Sequence, residues 1–163
     1  MQPREPELGS IIDGKYRVDG VLRRGGMGLV LAATHRELER GVAIKLVRND
    51  CARSAELLAR LYDEARAVAA LQSEHICGLL DFGRTESGLP YIVYERLSGV
   101  DLEQLIADRG PLPVAEAVDL VLQACAGLAE AHAARIVHRD LKPENLFLAH
   151  RRTGPDIVKV LDF

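Results

Sequence analysis

The chain has 163 residues, 48% hydrophobic and 28% charged, with a formal net charge of −3. That length suits one domain with a sizeable core. Acids and bases are spread along it, which argues against nucleic acid as a main partner, and no apolar run approaches the ~20 residues of a membrane-spanning helix.

In chain order, residues 1–10 read as a polar, flexible lead-in, and Met1 to Glu7 lacks the apolar stretch of a signal segment, so export is not expected. Strands are predicted at Tyr16-Arg17-Val18, Val30-Leu31-Ala32 and Val42 to Leu46. Ser54 to Leu71 has helical spacing, with Leu57, Leu58, Leu61, Ala65, Val68 and Leu71 recurring between charged residues. Cys77–Phe82 and Leu89–Tyr94 bracket the turn Thr85-Glu86-Ser87-Gly88, a hairpin pattern. Asp101 with Gln104 marks a helix start and Gly110-Pro111 a stop. Pro113 to Ala134 is Ala/Leu/Val-rich nearly all round, as in a helix within a helical layer. Ile136-Val137 and Val158 to Leu161 read as short strands. Cys51, Cys77 and Cys125 form no CxxC pair and are expected to be buried or half-buried free thiols in a reducing cytoplasm.

The run His138-Arg139-Asp140-Leu141-Lys142-Pro143-Glu144-Asn145 follows H-R-D-x-x-x-x-N throughout. Phosphoryl transfer needs an acceptor for a hydroxyl proton and an oxygen ligand for a metal ion, both near the transferred group. A carboxylate and an amide on one constrained loop can supply them. Asp140 is the expected catalytic base, Asn145 a metal ligand, and Lys142 a positive charge for the developing negative charge.

On these residues the chain resembles the eukaryotic-like serine/threonine protein kinases of bacteria, from about Ile12 to Phe163. The Lys-Pro-Glu-Asn run is that of the serine/threonine branch, and Gly25-Gly26-Met27-Gly28 is typical of the bacterial group. The resemblance implies an α+β, two-lobed protein kinase fold. Residues 11–94 would form a small lobe of antiparallel sheet with one helix, 95–99 a hinge, and 100–163 the first part of a helical lobe, with ATP in the cleft. It implies ATP and Mg2+ (or Mn2+) as cofactors and a protein serine or threonine hydroxyl as acceptor.

Further positions follow from the resemblance. Arg23-Arg24-Gly25-Gly26-Met27-Gly28-Leu29-Val30 is the phosphate loop, with Arg23 where the family's first glycine is expected. Val42-Ala43-Ile44-Lys45 matches V-A-I-K, so Lys45 would contact the α- and β-phosphates and pair with Glu64, Asp63 being the rival acid. Glu95 and Leu97 would offer backbone groups to adenine behind Tyr94, and Val30, Ala43 and Phe147 would sandwich the ring. Asp101 would either reach the ribose or a substrate cation, or cap its helix.

Asp81-Phe82-Gly83 spells the D-F-G of the metal-binding motif but precedes the catalytic loop. Asp162-Phe163, after Asn145, is the expected metal-binding pair. The motif's glycine, the activation loop that would engage Arg139 and the later helices are not in the sequence, which reads as a fragment whose missing C-terminal part would cover the helix from Pro113. The expectation is an ATP-dependent protein serine/threonine kinase, weak or inactive as this chain. The alternatives are a non-catalytic nucleotide-binding or regulatory module and, less compatible with the full catalytic-loop run, a small-molecule phosphotransferase.

Overall fold

A computed structural model of the chain describes residues 6–25, 28–47 and 55–163. The chain divides into two compact units, Met1–Arg66 with Leu79–Arg96, and Ala67–Gly78 with Leu97–Phe163. Residues 67–78 thus fall outside the first unit, although the sequence read 11–94 as unbroken. The reason is backbone pairing: Cys77 N donates to Val160 O at 2.9 Å and Val160 N to His75 O at 2.8 Å.

The first unit is built on a six-stranded sheet of order β1-β2-β3-β4-β6-β5. Its strands are β1 (Ile11–Ile12), β2 (Tyr16–Gly25), β3 (Gly28–His35), β4 (Arg40–Leu46), β5 (Leu79–Arg84) and β6 (Pro90–Glu95). Every pairing in it is antiparallel. On β4, Val42, Ile44 and Leu46 are buried while Ala43 and Lys45 are half-buried, the period-two alternation of a strand with one core face. Leu31 pairs with Ile44 and Ile44 with Val93, so one apolar row crosses three strands. Ile12, Tyr16, Val18, Leu29, Ala33 and Tyr91 complete this core.

Helix α1 (Ala55–Ala69) buries Leu58, Ala65 and Val68. Its predicted start at Ser54, like Cys51, lies outside the described residues. The β5–β6 turn forms where the sequence places it, Gly88 N donating to Thr85 O and Thr85 N to Leu89 O, each at 2.8 Å.

In the second unit, β7 (Gly99–Asp101), β8 (Leu146–Ala149) and β9 (Ile157–Val160) form an antiparallel sheet of order β7-β8-β9, with helices α2 (Leu102–Arg109) and α3 (Val114–Ala133). Asp101 accepts from Gln104 N at 2.8 Å and so caps α2, which closes at Gly110 with φ 75°. α3 buries Leu120, Ala124, Gly127 and Ala131 along one stripe. Gly127 is required there, because a Cβ would come within 2.8 Å of His75 O. Leu120 and Ala124 join Leu102, Leu105, Leu146, Val158 and Val160 in one core.

α3 is not buried all round. Val114, Val118, Val121 and Leu122 are 81%, 51%, 54% and 62% exposed. Cys125 is also exposed, against expectation, while Cys77 is buried. Ile136-Val137 is not a strand. Ile136 N instead closes the end of α3 on Ala131 O at 2.8 Å, and both neighbours of β8 are already supplied by β7 and β9. Among the described residues no helix is long and apolar enough to cross a membrane.

Candidate active site

In the first unit, the register Gly25↔Gly28 closes the β2–β3 turn, with Arg23 and Arg24 exposed on β2; Gly26 and Met27 lie outside the described residues. Gly28 has φ 131°, and a Cβ there would stand 2.6 Å from Leu46 O, so only glycine fits. Val30 pairs with Lys45, and Ala43 precedes Lys45 by two residues on β4. The pleat therefore puts Val30, Ala43 and Lys45 on one face of the sheet, opposite the core face. Tyr94 and Ile92 pair with Ala43 and Lys45 on β6, which ends at Glu95.

The expected ion pair between Lys45 and Glu64 is not formed among the described residues. The buried side of α1 runs through Leu58, Ala65 and Val68, and Glu64 is exposed, as is Leu57 at 46%. Its rival Asp63 is engaged by Arg66 at 2.8 Å.

Asp81-Phe82-Gly83 is put to structural use within the first unit. Tyr16 Oη donates to Asp81 Oδ2 at 2.7 Å, and Lys15 Nζ lies 3.4 Å from both Asp13 and Asp81. Tyr91 Oη donates to Asp13 at 2.7 Å. That hydrogen bond holds the Asp13 carboxyl below its usual value, and burial pushes both phenols up. Phe82 stacks on Tyr62 of α1 at 4.9 Å, and Tyr62 Oη donates to Gly83 O at 3.2 Å.

In the second unit, the loop after α3 brings Asp140, Lys142, Asn145 and the strand leading to Asp162 together. The loop closes in a 3-10 turn, Pro143–Asn145, with Asn145 N donating to Lys142 O at 2.9 Å. Asn145 is 2% exposed. Its Nδ2 donates to Asp140 O at 2.8 Å and Asp140 Oδ2 at 3.2 Å, which leaves Oδ1 as the amide atom available to coordinate. Lys142 Nζ lies 3.2 Å from Asp140 Oδ2 and 3.5 Å from Glu144. The Lys142 hydrogen bond holds the Asp140 carboxyl below its usual value, aided by Asn145, and the same contact raises Lys142.

Leu161 is gripped on both sides: its N–H donates to Asn145 O at 2.9 Å, and its carbonyl accepts from His138 Nε2 at 2.6 Å. Because Nε2 must donate to a carbonyl, the neutral ring leaves Nδ1 to accept from Asp140 N at 3.3 Å. Asp162 follows with φ 56°, a left-handed backbone rare for a non-glycine residue and frequent where function over-determines it. Arg139 also has positive φ, 65°. The Phe163 ring meets His138 edge-on at 4.9 Å. Phe147 lies on β8, paired with Asp101 and Lys159, and Leu97 begins the second segment of the second unit. His138 thus positions Leu161, and its place in the H-R-D run is the sequence signal for such a role.

A carboxylate and an amide oxygen are hard donors of the kind Mg2+ takes, so the chemistry of Asn145 and Asp162 fits such an ion. Asn145 and Asp162 would hold it.

Comparison with known proteins places these residues among relatives. The family described as "Protein kinase domain" matches residues 16–163. The chain is 39% identical over 156 residues to the serine/threonine-protein kinase pkn3 of Myxococcus xanthus, covering 96% of this chain and 28% of that protein. It is 36% identical over 156 residues to the serine/threonine-protein kinase PrkC of Bacillus subtilis, covering 96% of this chain and 23% of that one. The crystal structure of the Mycobacterium tuberculosis PknI kinase domain superposes with a TM-score of 0.83 at 30% identity, over 98% of this chain and 63% of that chain. The chain thus spans under a third of the length of these curated relatives.

Proposed function

Because this chain belongs to the protein kinase domain family, we propose that it supplies the ATP-binding and phosphoryl-transfer residues of a protein serine/threonine kinase. The observation that carries this reading is the tie between Asp140, Asn145 and the strand that ends at Asp162. In the proposed reaction a serine or threonine hydroxyl oxygen forms a bond to the γ-phosphorus of ATP. The bond from that phosphorus to the β–γ bridging oxygen breaks, and ADP leaves. Asp140 orients the hydroxyl and takes its proton, its carboxyl being held ionised by Lys142. Lys142 presents its ammonium toward the transferred phosphoryl group. Mg2+, when bound, offsets the negative charge of the phosphates. Lys45 holds the α- and β-phosphates, Gly25 to Gly28 cover them, and Val30, Ala43 and Phe147 pack on adenine, with the Glu95 and Leu97 backbones on its edge.

A second reading, nucleotide binding without transfer, draws on the exposed Glu64, since an engaged Lys–Glu pair accompanies the active arrangement in this family. The two separate in a polypeptide that also carries the rest of the domain, as the solved relatives do. There Asp140→Asn should lower autophosphorylation by about 100- to 10,000-fold while ATP affinity is kept. Equal activity in variant and parent removes the role given to Asp140, and ATP binding with no transfer in the parent selects the second reading.

A further inference from the structure

Strand β9 ends next to Leu161 and Asp162, and among the described residues a neighbouring strand covers one of its edges, the one toward β8. An antiparallel ladder engages alternate residues, so the peptide groups of Val158 and Val160 face the other way. Both residues are 0% exposed, and an unpartnered N–H there would carry a full desolvation penalty. Val160 meets backbone, exchanging hydrogen bonds with the 75–77 segment. Val158 is held by side chains. Its N–H donates to Gln123 Oε1 of α3 at 2.9 Å, and its carbonyl accepts from His75 Nδ1 at 3.0 Å. Gln123 is itself oriented one helical turn back, where its Nε2 donates to Asp119 Oδ2 at 2.9 Å. With the amide nitrogen committed to Asp119, the amide oxygen is turned to the strand.

We propose that Gln123, set by Asp119, is a positioning residue for the metal-ligand carboxylate of Asp162. The proposal rests on the magnesium reading above. Gln123 closes the outer edge of β9 and fixes how the strand lies on α3. From that strand the chain runs directly into Leu161, pinned by Asn145 and His138, and then into the left-handed backbone of Asp162. A residue in that conformation keeps its aim only while the chain leading to it is held. Gln123 touches neither nucleotide nor metal and acts through the strand.

The test is calorimetric titration of the 163-residue chain with ATP, with and without Mn2+, together with its melting temperature. Gln123→Leu keeps the volume and removes the acceptor. It should cut the metal-dependent gain in ATP affinity by about 10- to 100-fold, the range for groups that orient a metal ligand, and leave metal-free affinity unchanged. Gln123→Glu should also weaken the gain, because two carboxylates then face each other. Asp119→Asn combined with Gln123→Glu should restore it, the asparagine amide donating to the new carboxylate. A merely structural role would lower both affinities and the melting temperature together, with no rescue. A full metal-dependent gain in Gln123→Leu overturns the proposal, and so does a double variant no better than Gln123→Glu should Gln123→Leu fail to fold. A parent chain with no metal-dependent gain overturns the magnesium reading and this proposal with it.

Discussion

Asn145 spends its amide nitrogen on Asp140, at 2.8 Å to the backbone oxygen and 3.2 Å to the carboxylate, while its own carbonyl accepts the N–H of Leu161 at 2.9 Å. One buried amide therefore holds the proposed base and keeps its side-chain oxygen as the atom that would hold the metal. Asn145→Ala should release Asp140 and remove a ligand together. The expected result is loss of metal-dependent ATP binding, with destabilisation of about 1–3 kcal/mol from the lost buried hydrogen bonds. Calorimetry and chemical denaturation check the two effects.

The Asp140 carboxyl is held below its usual value first by the Lys142 hydrogen bond. Its charged form is thus favoured in the folded chain. That stabilisation is present above the unfolded value and is lost as pH falls through the lowered folded value. Lys142→Met removes the largest cause, so the Asp140 titration midpoint should move to higher pH. Carboxyl carbon chemical shifts followed through an acid titration report it. An unmoved midpoint would show that Asn145 suffices.

Asp81 and Asp162 sit in look-alike Asp-Phe pairs and should respond oppositely. Asp81 anchors Tyr16 and Lys15, so Asp81→Asn should cost about 1–3 kcal/mol of stability and leave the metal dependence of ATP binding intact. Asp162→Asn should abolish that dependence. Melting curves beside nucleotide titrations separate the two aspartates.

The loop from His138 to Asn145 is legible in the sequence because the proposed chemistry sets its spacing: a carboxylate and an amide five residues apart, which the structure ties by hydrogen bonds. Alternation exposed β4, since Val42, Ile44 and Leu46 meet the core while Lys45 does not. Less legible was anything fixed by tertiary pairing. Ile136-Val137 is β-branched, yet β8 has both neighbours filled, so no strand forms there. Gly99–Asp101 is too short to show a period, and its strand exists only because β8 lies beside it. Glu64 is the acid that the resemblance points to, but α1 buries the side of Leu58, Ala65 and Val68 instead. Gln123, a half-buried polar residue in an Ala/Leu/Val-rich helix, is a signal open to reading. Its partner, the Val158 N–H, becomes visible only once β9 lies against α3.

The proposed function gives Lys45 a role on the phosphates and Asn145 and Asp162 a role on the metal. Isothermal titration of ATP into the chain, into Lys45→Met and into Asp162→Asn, each with and without Mg2+, tests it most directly. The expected result is tighter binding with Mg2+ in the parent, weakened binding under both conditions in Lys45→Met, and loss of the Mg2+ effect alone in Asp162→Asn. A parent indifferent to Mg2+, or an Asp162→Asn chain that keeps the full Mg2+ effect, would contradict it.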